Sequence, residues 1–76
     1  MDDGRDAILL RYIGGAERSP SDSVASIEYL RSVGYLSSIR HPSKEMYRTT
    51  DIGLIYLRMH GHQVDAPEVV NGRIIR

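Results

Sequence analysis

The sequence predicts a small α+β domain with three helices, a two-stranded hairpin and a second hairpin near the C-terminus. Three observations lead to this fold class. Apolar residues recur at helical spacing in three segments, each bounded by glycine or by helix-capping residues. Between the second and third segments, two short runs flank a polar turn, which is typical of paired strands. Near the C-terminus, Asn71-Gly72 separates two pairs of β-branched residues, a strong short signal for a hairpin.

Length and composition bound the class of protein. The 76 residues suffice for one small domain, which we assign to residues 1–76 with residues 62–76 as a C-terminal extension. Ten Lys and Arg balance ten Asp and Glu, which excludes a generally polybasic nucleic-acid binder. The absence of cysteine excludes a disulfide framework and a thiolate metal site.

The apolar runs are far shorter than the ~20 residues of a membrane span, and the first residues are acidic where a secretory signal would be basic. We therefore expect a soluble, cytoplasmic protein.

The first predicted element is a helix over residues 5–13. Acidic residues near its start complement the helix dipole, and Gly14-Gly15 ends it. Its apolar side chains recur at helical spacing and are predicted to face the core: Ile8, Leu9, Tyr12 and Ile13.

The second predicted helix covers residues 20–33. Ser19 is its predicted N-cap, Pro20 suits the first helical position, and Gly34 suits the left-handed residue after the last turn. Its predicted apolar stripe consists of Val24, Ile27, Leu30 and Val33.

A hairpin and a third helix follow. Residues 35–39 and 46–49 are predicted strands on either side of a polar turn over residues 40–45. Thr50 then caps a helix over residues 51–60, which ends at Gly61. Its predicted apolar stripe is Ile52, Ile55, Tyr56 and Met59, with Leu54 and Leu57 as a second apolar edge. A helix that is apolar on two sides needs two packing partners.

The order of these elements carries a family resemblance. The specific residues are 27–36, with the pattern IxxLxxxGYL, and 47–53, with the sequence YRTTDIG. The elements follow in the order helix, capped helix ending at glycine, strand, basic turn, strand and helix. This order resembles the winged helix-turn-helix DNA-binding domain family over residues 6–60. Such domains place a separate helix before the recognition helix. Here residues 14–23 leave room for a single turn around residues 16–18, or for no helix.

The resemblance implies a small transcriptional regulator that binds double-stranded DNA as a homodimer and uses no cofactor. The family inserts its recognition helix, here residues 20–33, into the major groove. The residues implied to face the bases are Ser21, Ala25, Glu28 and Ser32, with Arg31 near the edge. Asn and Gln, which read bases with two hydrogen bonds, are missing from this side. An ordinary capped helix with a solvated outer face therefore stays open as the alternative.

The turn between the two strands corresponds to the wing, which the family lays on the DNA backbone or in the minor groove. Arg40, His41, Lys44 and Arg48 lie within nine residues and are opposed only by Glu45. Such a group is chemically sufficient to neutralise phosphates. The alternative is a solvated turn in which Lys44 and Glu45 balance each other.

Other functions have weaker support. A winged-helix protein-protein interaction factor, such as a phage or host accessory protein that does not bind DNA, is favoured by the zero net charge and by Glu28. We expect no enzymatic activity and no catalytic residue, because no nucleophile arrangement or phosphate-binding glycine loop is evident. His60-Gly61-His62 with Asp65 suggests metal ligands, but a site needs further ligands at fixed geometry, so no metal site is predicted.

The C-terminal hairpin is predicted to serve assembly. A two-stranded hairpin is marginal alone, so it must lie on the wing strands of its own chain or on the equivalent hairpin of a second chain. Because the wing is needed for a ligand, and Leu54 and Leu57 are spare, we expect the third helix and the tail to form a two-fold interface. The alternative is a frayed tail.

Overall fold

The computed structural model describes residues 4–75, which form an α+β domain with three helices and antiparallel sheets. The helices are α1 (Arg5–Arg11), α2 (Val24–Ser32) and α3 (Asp51–Met59). The strands are β1 (Ala16–Glu17), β2 (Leu36–Ile39), β3 (Met46–Thr49), β4 (Glu68–Val70) and β5 (Arg73–Ile75). The class, the number of helices and both hairpins agree with the sequence prediction, whereas the strand count is higher than predicted.

The additional strand, β1, joins the predicted β2–β3 hairpin to make a three-stranded antiparallel sheet in the order β1-β3-β2. Ala16 lies opposite Tyr47, and Glu17 lies opposite Met46. The backbone N–H of Arg18 donates to the carbonyl of Glu45 at 2.8 Å and extends this pairing by one residue. A strand of two residues is too short to show an alternating pattern, so local sequence did not indicate it.

The predicted start of the second helix is wrong. Helix α2 begins at Val24, and its N-cap is Ser23, whose Oγ accepts from the backbone N–H of Ser26 at 3.1 Å. Ser19 belongs to a separate turn, in which its carbonyl accepts from the backbone N–H of Asp22 at 3.0 Å. No helix lies between α1 and α2. Residues 14–23 supply β1 and this turn instead.

The core contains residues of all three helices and of the three-stranded sheet. Its buried apolar members are Ile8, Leu9, Tyr12, Ile27, Leu30, Leu36, Tyr47 and Leu57. Thr49 is buried beside them, and its Oγ1 donates to the carbonyl of Leu9 at 2.6 Å. This bond joins β3 to α1 across the core, so a polar side chain is buried there with its hydrogen bond satisfied.

Several residues predicted to face the core are exposed instead. Helix α1 ends at Arg11, and Ile13 lies beyond it with its side chain exposed. On α2, Ile27 and Leu30 are buried as predicted, but Val24 and Val33 at the two ends are exposed. Only the middle of α2 therefore reaches the core.

Helix α3 is capped by Thr50 as predicted, since Thr50 Oγ1 accepts from the backbone N–H of Gly53 at 3.1 Å. Its predicted stripe is partly wrong, because Ile52 and Met59 are exposed. Leu57 is fully buried, so it belongs to the core and not to a spare edge.

Gly53 explains the rotation of α3. A Cβ atom at this position would overlap the carbonyl oxygen of Tyr35. The absence of a side chain therefore lets α3 approach the backbone just before β2. Gly53 and Leu57, four residues apart on the same helical face, point into the domain, and Ile52 points outward.

Strands β4 and β5 form the predicted C-terminal hairpin as a second, two-stranded sheet. Asn71 has φ 52° and Gly72 has φ 78°, the left-handed conformations that a type I′ turn requires. Val69 lies directly opposite Ile74.

Candidate nucleic-acid interface

The turn predicted as the wing connects β2 to β3 and is exposed. Arg40, His41 and Lys44 lie in the turn itself. Arg48 lies on β3, opposite Ser37 of β2, and its side chain is exposed between the buried Tyr47 and Thr49. Because side chains alternate along a strand, Arg48 projects from the sheet face opposite the core.

Glu45, the acid expected to balance Lys44, has a different partner. Arg18 Nε lies 2.9 Å from Glu45 Oε2, so the carboxylate is paired with the residue that follows β1. Within the described part of the chain, no ion pair is formed by Arg40, Lys44 or Arg48. The hairpin therefore presents three fixed positive charges, and its one acid is engaged by a cation from outside it.

The side chains on the outer face of α2 are exposed, and several of them form hydrogen bonds within the helix. Arg31 Nη1 donates to Glu28 Oε1 at 2.8 Å, an ion pair between residues three apart on the helix. The hydroxyl of Ser32 donates to the carbonyl of Tyr29 at 2.6 Å. Ala25 is exposed and offers only a methyl group. Of the side chains predicted to face bases, Glu28, Arg31 and Ser32 each form one hydrogen bond within the helix.

Ser21 is not a helical residue, which corrects its assignment to the recognition helix. It lies in the turn before α2, where its Oγ is 2.9 Å from Ser19 Oγ. The recognition-helix residues that α2 contains are thus Ala25, Glu28, Arg31 and Ser32.

A buried polar network holds this turn, and sequence reasoning missed it. Arg11 Nε and Nη2 each donate to a different oxygen of Asp22 at 3.0 Å. The hydroxyl of Tyr12 donates to Asp22 Oδ2 at 2.7 Å and accepts from the backbone N–H of Ser19 at 2.9 Å. Burial, together with the neighbouring Asp22 carboxylate, raises the pKa of Tyr12 above its ordinary value. The position of α2 is set by these contacts, which no local pattern indicates.

A second cluster ties the segment after α3 to α1. His62 Nε2 lies 2.7 Å from Asp6 Oδ2, and His60 Nδ1 lies 3.8 Å from the same oxygen. Tyr56 also hydrogen-bonds to Asp6. Burial opposes ionisation of Asp6, but the hydrogen bonds from His62 and Tyr56 and the nearby histidine charges hold its pKa below the ordinary value.

The two histidines of the candidate metal motif thus meet Asp6, and Asp65 is exposed. Over residues 4–75, no three His, Asp or Glu side chains form a group that could hold a metal ion. No helix in the same part of the chain is long and apolar enough to cross a membrane.

In a comparison with known proteins, no protein-family model, no curated protein and no solved structure matches this chain.

Proposed function

We propose that this protein is a small DNA-binding transcriptional regulator of the winged-helix type, acting in the cytoplasm without a cofactor or catalytic residue. One observation carries the proposal. Arg40, Lys44 and Arg48 project from the β2–β3 hairpin and form no ion pair within residues 4–75, while Arg18 engages Glu45. Unpaired, exposed cations on a protruding hairpin are the groups that neutralise DNA phosphates.

The arrangement of elements supports the same proposal. A recognition helix, the wing strands and a C-terminal helix follow one another as α2, β2, β3 and α3, and α2 packs against β2. The helix that such domains place before the recognition helix is replaced by β1 and a turn. Because the outer face of α2 offers few free base-reading groups, phosphate contacts dominate the proposed binding, and sequence preference is weak.

The test is a fluorescence anisotropy titration of the protein with a random-sequence duplex at two salt concentrations. Replacing Arg40 and Lys44 by Ala should weaken binding to every sequence and flatten the salt dependence by about one unit for each residue. Arg73→Ala is the matched control, since Arg73 is exposed on β5, outside the wing, and forms no ion pair with any described residue. We expect it to leave the affinity within about twofold, unlike a phosphate contact.

A second function has its own supporting observation. The chain has zero net charge, and Glu28 and Arg31 neutralise each other on the outer face of α2. Such a face suits a protein partner better than a nucleic acid, which favours a winged-helix interaction factor. No measurable DNA binding at low salt would reject the first function in favour of this one. Equal loss of affinity in the Arg73→Ala control would reject the wing as the binding site.

A further inference from the structure

An apolar surface lies on the outside of the domain where α3 meets the C-terminal hairpin. Ile52 and Met59 are 50% and 80% exposed, and together with Ile55 they line one groove. Ile55 and Met59 also line the adjoining groove, whose other wall includes Val69 of β4. Ile74 lies next to Val69 on the same face of the hairpin. We call these five residues the α3–hairpin face.

The hairpin is only partly covered by the described part of its own chain. All six residues of β4 and β5 are exposed, including four with β-branched side chains. In the part of the chain that the structure describes, these strands pair only with each other. The wing strands, one of the two supports expected from the sequence, are therefore not its partner. A two-stranded hairpin with open edges is marginal in water and needs a surface to lie on.

The charges beside this face fit a second copy of the chain. Arg58 and Glu68 are both exposed and line the groove between α3 and β4. Among the residues that the structure describes, neither forms an ion pair. A two-fold axis brings each residue of one copy opposite residues of the other, so Arg58 and Glu68 can pair twice across one interface. The zero net charge means that two copies do not repel each other.

We infer that the α3–hairpin face binds the same face of a second copy around a two-fold axis, forming a homodimer. This assigns the interface to Ile52, Ile55 and Met59 on α3. Leu57, which the sequence suggested, is fully buried in the core and takes no part. The inference goes beyond the proposed DNA binding and does not depend on it.

Sedimentation equilibrium of the full chain tests the inference without DNA. We expect twice the chain mass of 8.6 kDa. Because Met59 is mostly exposed in the single chain and buried in the dimer, Met59→Lys should raise the dimer dissociation constant about tenfold or more. Val33→Lys is the matched control, since it replaces an exposed apolar residue at the end of α2, and it should change the constant less than about twofold. A chain that stays monomeric at about 200 μM overturns the inference.

A charge exchange gives a second test that does not depend on the folding of Met59→Lys. Arg58→Glu and Glu68→Arg should each weaken the dimer, because each places like charges opposite one another. The double variant should recover the parent dissociation constant to within about twofold. Additive weakening in the double variant, or a dimer that none of these substitutions affects, overturns the proposed interface.

Discussion

His62 Nε2 donates to the ionised carboxylate of Asp6 at 2.7 Å, and this bond joins the segment after α3 to the first turn of α1 across 56 positions of the chain. The pKa of Asp6 lies below its ordinary value of 3.8, so folding favours the ionised carboxylate. The stabilisation from this group is fully present above the pKa of the unfolded chain. It is lost as the pH falls through the lower pKa of the folded protein.

Asp6→Asn should therefore be less stable than the parent protein at pH 7, and the two stabilities should converge as the pH falls through the lowered pKa of Asp6. The measurement is the free energy of unfolding in urea at a series of pH values. Asp65→Asn is the control, because Asp65 is exposed and forms no ion pair among the described residues. A constant difference between Asp6→Asn and the parent at every pH would contradict the proposed role of the Asp6 charge.

Asp22 should be among the most sensitive residues of the protein. Its side chain is 3% exposed and accepts from both Arg11 and Tyr12. Asp22→Ala should lower the free energy of unfolding by about 2 kcal/mol, because it leaves the buried Tyr12 hydroxyl without its acceptor and the half-exposed Arg11 guanidinium without its ion pair. Tyr12→Phe removes one hydroxyl from the network and should lower it by about 1–2 kcal/mol. Urea denaturation measures both. A loss below about 1 kcal/mol for Asp22→Ala would show that water replaces these contacts easily.

Two serines form a matched pair for the start of α2. Ser23→Ala removes the N-cap and should lower the free energy of unfolding by about 1 kcal/mol. Ser19→Ala lies in the preceding turn, where Oγ pairs with Ser21, and should stay within about 0.5 kcal/mol of the parent. Thermal unfolding of the two variants side by side distinguishes them. The reverse order of stabilities would place the start of the helix at Pro20.

Gly53→Ala should destabilise the protein although Ala favours helices. At an exposed helical site this change would stabilise by roughly 1 kcal/mol. Here the new methyl group would overlap the carbonyl oxygen of Tyr35, so we expect a loss of about 1–3 kcal/mol. Arg31→Ala, on the exposed outer face of α2 and outside the α3–hairpin face, is the control and should change stability by about 0.5 kcal/mol or less. Unfolding in urea that shows a more stable Gly53→Ala variant would mean that α3 can move away from β2.

The sequence by itself determined the elements whose signals are local. Thr50 caps α3 through a residue three positions later, and Asn71-Gly72 forms its turn through its own backbone angles. The β2–β3 hairpin likewise follows from two short runs around a polar turn, and it carries the wing residues Arg40 and Lys44. These signals are readable because each interaction spans only a few residues.

The tertiary structure alone decided what depends on residues far apart in the chain. The pairing of Arg18 with Glu45 spans 27 positions and leaves the wing cations unopposed. Because Asp22 is buried against Arg11, the residues predicted to start a helix form a separate turn. Because Gly53 lies close to Tyr35, Ile52 faces outward. Periodicity shows that a helix has an apolar side, but its rotation and its neighbours depend on packing with the rest of the domain.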